Sequence, residues 1–176
     1  LVELTPYQTG ADWAWVSGMS WAPTHQVLYY LNHPAKPGQD NPEASPLFDL
    51  TAAVIPAGPS IILVPQSGMF AYPVTSPILA DGTYRLAYLQ ALSPLQSETS
   101  GYRLFVMDRD GSNRRALFPL EGAPGLEPQT PLWSPASQET TEFIAVVYQG
   151  NLWLVDNVSG QASQGNGNIA RRWVWV

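Results

Sequence analysis

The segment Asp108–Asn113 carries the densest group of side chains that could do chemistry. Its order, Asp-Arg-Asp-Gly-Ser-Asn, places oxygen-bearing side chains at alternate positions, as in the first half of a calcium-binding loop. The glutamate that completes such a loop is missing further along. Strand-forming residues flank the segment on both sides, and Asp-Gly is a strong hairpin signal. The sequence therefore predicts a hairpin turn here, with no metal.

The other candidate catalytic or metal-binding residues are scattered. His25 and His33 have no carboxylate at a metal-ligand spacing. Asp49, Asp108 and Asp156 fall at matching ends of predicted third strands, which indicates a repeated structural feature rather than an acid–base pair. The chain contains no P-loop, no dinucleotide-binding glycine motif and no nucleophile elbow. We therefore predict no catalytic residue, no metal and no cofactor.

Two features could indicate sugars. The seven tryptophans could stack on sugar rings, and Asn157-Val158-Ser159 is an N-glycosylation sequon. Most of the tryptophans lie in strand-forming segments, which favours places in the core. Trp21 and Trp133 are predicted on innermost strands, facing the following repeat. The sequon falls in a predicted turn, where it can occur by chance.

Composition limits the class of partner. The chain has a net charge of −6 and a pI near 4.7, whereas nucleic acids and anionic membranes bind clustered Lys and Arg. The isolated pairs Arg114-Arg115 and Arg171-Arg172 are interpreted as solvated residues. No apolar run is long enough for a membrane helix, and the absence of cysteine excludes disulfides. We predict no nucleic-acid partner and no membrane span.

The elements that position these residues repeat along the chain. One unit starts at Leu132-Trp133-Ser134-Pro135 and continues through strand-forming runs at 143–148 and 152–155. The same order follows Ser76-Pro77 and, in weaker form, Trp21-Ala22-Pro23. Repetition at this scale indicates arrays, solenoids or propellers. The 17 prolines and the lack of helical periodicity argue against a helical fold.

We predict an all-β fold, a β-propeller built of four-stranded antiparallel blades, with a β-sandwich as the alternative. Residues 1–176 would form one partial propeller of about three blades plus flanking single strands. The approximate blades are 11–67, 68–122 and 128–168, with 169–176 starting a further inner strand. The second blade is predicted to open with a strand at Met69–Val74. Three blades leave apolar surface exposed, so we expect either a missing remainder or self-association.

Trp133-Ser134-Pro135, Ser76-Pro77 with Asp81-Gly82, and Trp21-Ala22-Pro23 resemble the WD40-like (PD40) repeats of TolB-like propellers. Such repeats also occur in the propeller domains of prolyl-oligopeptidase-type peptidases. The first unit lacks the serine and the Asp-Gly, and the third has Ala136-Ser137 where Asp-Gly is expected. The resemblance implies a propeller fold.

For function, the resemblance implies a non-catalytic binding or scaffold module for protein–protein or ligand interaction. Together with abundant Trp, Pro, Gln, Asn and Ser and a single lysine, it implies an extracytoplasmic location, either periplasmic, lipoprotein-anchored or secreted. One alternative is the substrate-gating propeller of a serine peptidase whose catalytic domain is absent. Another is a carbohydrate-binding or carbohydrate-active propeller.

Loop length singles out one rim of the predicted propeller. In four-stranded meanders, the second-to-third and inter-blade connections lie at the same rim, and here they are the long ones, at 32–45, 90–100 and 120–130. Loops of this length in compact domains are usually functional or disordered. We predict that a partner protein or cationic ligand docks there. The candidate residues are His33, Lys36, Asp40, Glu43, Glu98, Glu121 and Glu127.

Overall fold

The computed structural model describes residues 18–33, 47–56, 58–135 and 142–165. Within these ranges the regular structure is almost entirely β, apart from a short 3₁₀ turn at Pro94–Gln96. No helix there is long and apolar enough to cross a membrane. The predicted all-β class and the four-stranded antiparallel units are confirmed.

The strands form three sheets of four, and in each sheet the strand order follows the chain. Every neighbouring pair is antiparallel, so each sheet is a meander. The first sheet contains β1 (Met19–Trp21), β2 (Val27–Asn32), β3 (Asp49–Val54) and β4 (Ser60–Val64). The second contains β5 (Val74–Thr75), β6 (Arg85–Ala91), β7 (Tyr102–Asp108) and β8 (Arg115–Phe118). The third contains β9 (Leu132–Trp133), β10 (Phe143–Tyr148), β11 (Asn151–Asp156) and β12 (Ala162–Gln164).

The second sheet is buried on both faces. Successive residues of a strand point to opposite faces, and both sets are apolar here. Leu86, Tyr88 and Met107 join a core with residues of the first sheet such as Tyr29, Leu31 and Leu50. Ala87, Leu89, Leu104 and Val106 join a second core with Ile144, Val146 and Val155 of the third sheet. The described residues therefore form three stacked layers, whereas a β-sandwich has two.

The first strands of the three sheets lie side by side. Thr75 of β5 donates its hydroxyl to the Trp21 carbonyl of β1 at 2.9 Å. The Trp133 indole of β9 donates to the Val74 carbonyl of β5 at 3.1 Å. The sheets are thus joined edge by edge at their first strands as well as face to face.

Both repeat tryptophans lie on first strands, but neither faces the following repeat. Trp133 faces the preceding sheet, and Trp21 faces away from the second sheet. Trp133 pairs with Ile144 and shares its face, which packs on the second sheet. Trp21 lies on the face of β1 opposite to that of Ser20, whose hydroxyl bonds with Thr75 of the second sheet. The predicted direction was wrong because successive residues of a strand point to opposite faces. In β1 and β9 it is Ser20 and Leu132, rather than the tryptophans, that point to the side on which the following repeat lies or would lie.

Two further local predictions were wrong. The predicted strand Met69–Val74 is reduced to Val74–Thr75, because Tyr72 has φ 39° and Pro73 cannot donate to a ladder. Asp49 does not match Asp108 and Asp156, which end β7 and β11, because Asp49 begins β3 instead. Its carboxylate accepts a hydrogen bond from the Gln66 amide at 2.8 Å.

Candidate interaction surfaces

Two long connections meet at one end of the second sheet. Residues 92–101 link β6 to β7, and residues 119–131 link β8 to β9. Tyr102 and Leu126 exchange backbone hydrogen bonds of 2.9 and 2.7 Å between the two. Gly101 and Gly125 touch backbone to backbone, and a Cβ added to Gly125 would lie 2.7 Å from Gly101. We call residues 92–101 and 119–131 together the long-loop rim.

Tyr102 fixes this rim to the core. Its side chain is fully buried, and burial raises the pKa of its hydroxyl, which keeps the group neutral and able to donate. That hydroxyl donates to the Ser97 carbonyl at 2.6 Å and accepts from the Phe70 amide at 3.3 Å. The Met69 amide donates to the Ser97 hydroxyl at 3.1 Å. The connection from the first sheet therefore holds the rim as well.

Gln129 attaches the rim to the third sheet. Its side-chain amide donates to the Val147 carbonyl at 2.7 Å, and its side-chain oxygen accepts from the Val147 amide at 2.6 Å. This pair imitates two rungs of a β-ladder along the free part of β10. Hydrogen bonds thus tie the long-loop rim to the core of the second sheet, to the connection from the first sheet and to the third sheet. The rim is therefore a preorganised surface.

The surface of the long-loop rim is apolar and acidic. Leu92, Leu95 and Leu120 are 48%, 58% and 75% exposed. Glu98, Glu121 and Glu127 are also exposed, and neither segment contains a lysine or an arginine. Sequence reasoning found the acids but missed the leucines, although apolar side chains inside Ser-, Pro- and Gly-rich loops are a readable signal.

The remaining predicted rim residues are placed differently. His33 is buried, and its ring stacks on Phe48 with centroids 4.5 Å apart. It therefore supports the structure beneath the surface and offers no exposed contact. Lys36, Asp40 and Glu43 lie outside the described residues.

The opposite end of the second sheet carries short turns. Asp108–Asn113 forms a hairpin turn, as predicted, in which the Gly111 amide donates to the Asp108 carbonyl at 2.9 Å and Gly111 has φ 86°. Asp110 accepts from the amide and hydroxyl of Ser112, and the hydroxyl bond in particular lowers the pKa of Asp110. Across the described ranges, no three His, Asp or Glu side chains come together as a metal site would require.

A network of polar side chains joins the second and third sheets at this end. Asn157, fully buried, accepts from the Arg85 guanidinium and donates to the Glu142 carboxylate at 2.9 Å. Arg115 donates to the backbone carbonyls of Asn157 and Val158. A cavity of about 460 Å³ lies beside this network. Sequence reasoning missed it, because its members are far apart along the chain.

Asn157 is also the acceptor residue of the sequon. Its amide nitrogen donates both to the Glu142 carbonyl at 3.0 Å and to the Glu142 carboxylate, and its side chain has no exposed surface. A glycan attached to this nitrogen would displace both bonds. The fold therefore gives the asparagine a structural position.

Tryptophans do not form a sugar-stacking platform in the described part of the chain. Trp133 and Trp153 are partly buried against the core between the second and third sheets. The Trp153 ring lies 5.3 Å from that of Phe118. Trp21 is half exposed, and the other four tryptophans lie outside the described residues.

Comparisons with known proteins give information on the fold but not on the function. No family model and no curated protein matches the chain. A chain in the solved structure "Crystal structure of Nidogen/Laminin Complex" is similar over 86% of this chain, with 14% identity and a TM-score of 0.51. The similar region is 49% of that chain, so this chain spans about half its length. At this identity the likeness shows the fold alone, and the neighbour's fold is propeller-like.

Proposed function

We propose that this chain is a partial β-propeller of the TolB-like type that acts as a non-catalytic binding or scaffold module in the cell envelope. The side-by-side first strands and the face-to-face meanders support the propeller. The repeat itself is supported by matching bonds. The Ser76 amide donates to the Arg85 carbonyl and the Ser134 amide to the Phe143 carbonyl, both at 2.8 Å. Each serine hydroxyl also accepts from the amide of the same partner, at 3.0 and 3.1 Å.

The observation that carries the binding function is the chemistry of the long-loop rim. Three exposed leucines stand beside three exposed glutamates on loops that are held rigid by Tyr102 and Gln129. Interfaces combine an apolar centre with a charged rim, and complementary charge speeds and orients association. The partner is therefore a protein surface that presents apolar side chains surrounded by Lys and Arg. Preorganised loops lose little entropy on binding.

Charge reversal tests this docking surface. Replacing Glu121 and Glu127 with lysine is expected to abolish capture of a cross-linked partner from an envelope extract, because both positions would then repel a basic surface. The matched control replaces Asp81 and Asp110 with lysine, since both are exposed carboxylates at the opposite end of the sheet. Capture that is lost equally in the two variants would contradict the proposal, as would capture that survives the rim change.

The outer face of the third sheet supports self-association or the packing of further blades. Leu132, Val147 and Leu152 are 64%, 52% and 50% exposed and project from the same face. Ala145 lies between Leu132 and Leu154 in the paired register, so the apolar surface is continuous across three strands. None of the described residues covers this face, and an exposed apolar sheet face of this kind marks an interaction site.

We expect the isolated chain to self-associate through this face at micromolar concentration. Changing Leu132, Val147 and Leu152 together to threonine keeps β-forming side chains but removes apolar area. Sedimentation velocity should then show a shift toward monomer. The control is Ile78→Thr, which is similarly exposed but lies in the β5–β6 connection. A compact wild-type monomer at these concentrations would contradict the expectation.

A further inference from the structure

We propose that the cavity beside the Arg85–Asn157 network binds an oxyanion, carried by a small molecule with phosphate or carboxylate groups. The cavity lies where the end of the second sheet meets the β11–β12 turn of the third. Its volume of about 460 Å³ falls within the 300–1,000 Å³ typical of small-molecule sites. The lining includes Arg85, Arg114, Arg115, Asp108 and Asn113.

The charge of the cavity is opposite to that of the chain. Three of the eight Lys and Arg residues line it, against one carboxylate, that of Asp108. The chain as a whole carries a charge of −6. Concentrating cations in one concave site of an acidic protein creates a local positive potential that attracts anions.

Two of the guanidinium groups are held in place by the protein. Arg85 is bonded to the buried Asn157 side chain, and its Nε lies 3.9 Å from the Asp108 carboxylate. Arg115 is bonded to two carbonyls of the β11–β12 turn. Each guanidinium has five N–H donors, so these bonds orient both groups and leave further donors for a ligand.

Arg114 supplies the third cation, on the same hairpin but with an exposed side chain. Its charge also acts on the Tyr88 hydroxyl, which is buried on the face of the second sheet toward the first sheet, and it opposes the rise in the Tyr88 pKa that burial causes. Guanidinium groups match the paired oxygens of carboxylates and phosphates. Arg85 and Arg115, both held on the face toward the third sheet, therefore form the anion-binding pair, and Arg114 adds positive charge to the lining from the hairpin.

Asp108 sets the strength of the site. Its carboxylate accepts from the Asn113 side chain at 2.6 Å and faces Arg85. An anion bound beside Arg85 would lie close to the Asp108 carboxylate, and the two negative charges would repel each other. We therefore expect Asp108→Asn to tighten anion binding several-fold, opposite to the effect of removing an arginine.

Titration calorimetry with inorganic phosphate and with citrate, at constant ionic strength, tests the proposal. Arg114→Gln is expected to weaken binding about tenfold. Arg109→Gln is the control, because Arg109 is exposed on the same hairpin and loses the same charge but does not line the cavity. Its affinity should stay within about twofold of the wild type.

Each outcome decides the proposal. Binding of phosphate alone, of citrate alone or of both supports an oxyanion site and identifies the group it prefers, provided that Arg114→Gln weakens it. The absence of binding by the wild type overturns the proposal. Equal weakening by Arg109→Gln and Arg114→Gln also overturns it, because general charge would then explain the affinity. Binding that Arg114→Gln leaves unchanged overturns it too, because the ligand would then bind elsewhere. Thermal melts of both variants show whether each is folded.

Discussion

Replacing Tyr102 with alanine is expected to lower the free energy of unfolding by about 3–5 kcal/mol. The side chain is fully buried in the core between the second and third sheets, where its ring meets Phe70 with centroids 6.2 Å apart. Its removal leaves a cavity and deprives the Ser97 carbonyl and the Phe70 amide of a partner. Both losses fall where the long-loop rim joins the core.

Tyr102→Phe separates the two contributions. It keeps the ring and removes only the hydroxyl, so the expected loss is about 1–2 kcal/mol. Urea denaturation measures both changes, and hydrogen exchange of the Leu126 amide, which donates to the Tyr102 carbonyl, shows whether the two loops separate. An alanine variant that loses less than about 1 kcal/mol would contradict this placement of the ring.

The strands could be predicted because their signals are local. The strand Phe143–Tyr148 has the bounds of its run of mainly β-branched and aromatic residues, and Gln149-Gly150 ends it with two positive φ angles, 50° and 75°. The repeated Ser-Pro marks the end of a first strand, since proline cannot extend the ladder. Because consecutive strands pair with each other, the order of these signals along the chain also predicts the strand order within each sheet.

The orientation of side chains across the sheets could not be predicted in the same way. Trp133 faces the preceding sheet because its pairing with Ile144 fixes its face, and one residue of register would reverse it. The sequence predicts Asp49 and Asp108 at matching ends of their strands, yet Val54 occupies the position opposite Val27 that Asp108 occupies opposite Arg85. The register is set by which residues of two neighbouring strands pair, and the sequence of one strand does not show this.

The candidate sites also divide into one that local sequence features predict and one that depends on contacts between distant segments. Long connections with Glu98, Glu121 and Glu127 could be found from loop length and residue type. The oxyanion cavity could not, because Arg85 and Arg115 come together only when β6 and β8 flank β7 in one sheet. Asn157 then joins them from a different sheet, and no spacing along the chain indicates that contact.

Asn157→Ala is expected to cost about 2–4 kcal/mol, because two charged groups lose their partner at a buried position. The Asn157 side chain accepts from Arg85 and donates to both the carbonyl and the carboxylate of Glu142. Alanine supplies neither contact, so the third sheet loses a bonded link to the second. Denaturant unfolding measures the loss.

Ser159→Ala is the matched control, since either change destroys the sequon but only Asn157→Ala removes the network. The Ser159 hydroxyl accepts one exposed bond, from the Gln161 amide at 3.2 Å, so its loss should cost under about 1 kcal/mol. Produced in a glycosylating host, both variants should differ in mass from the wild-type chain only by the substituted residue, because the buried amide of folded Asn157 carries no sugar. Equal destabilisation by the two changes, with a further drop in mass equal to that of a glycan, would show that a glycan rather than the Arg85–Asn157–Glu142 network stabilises this turn.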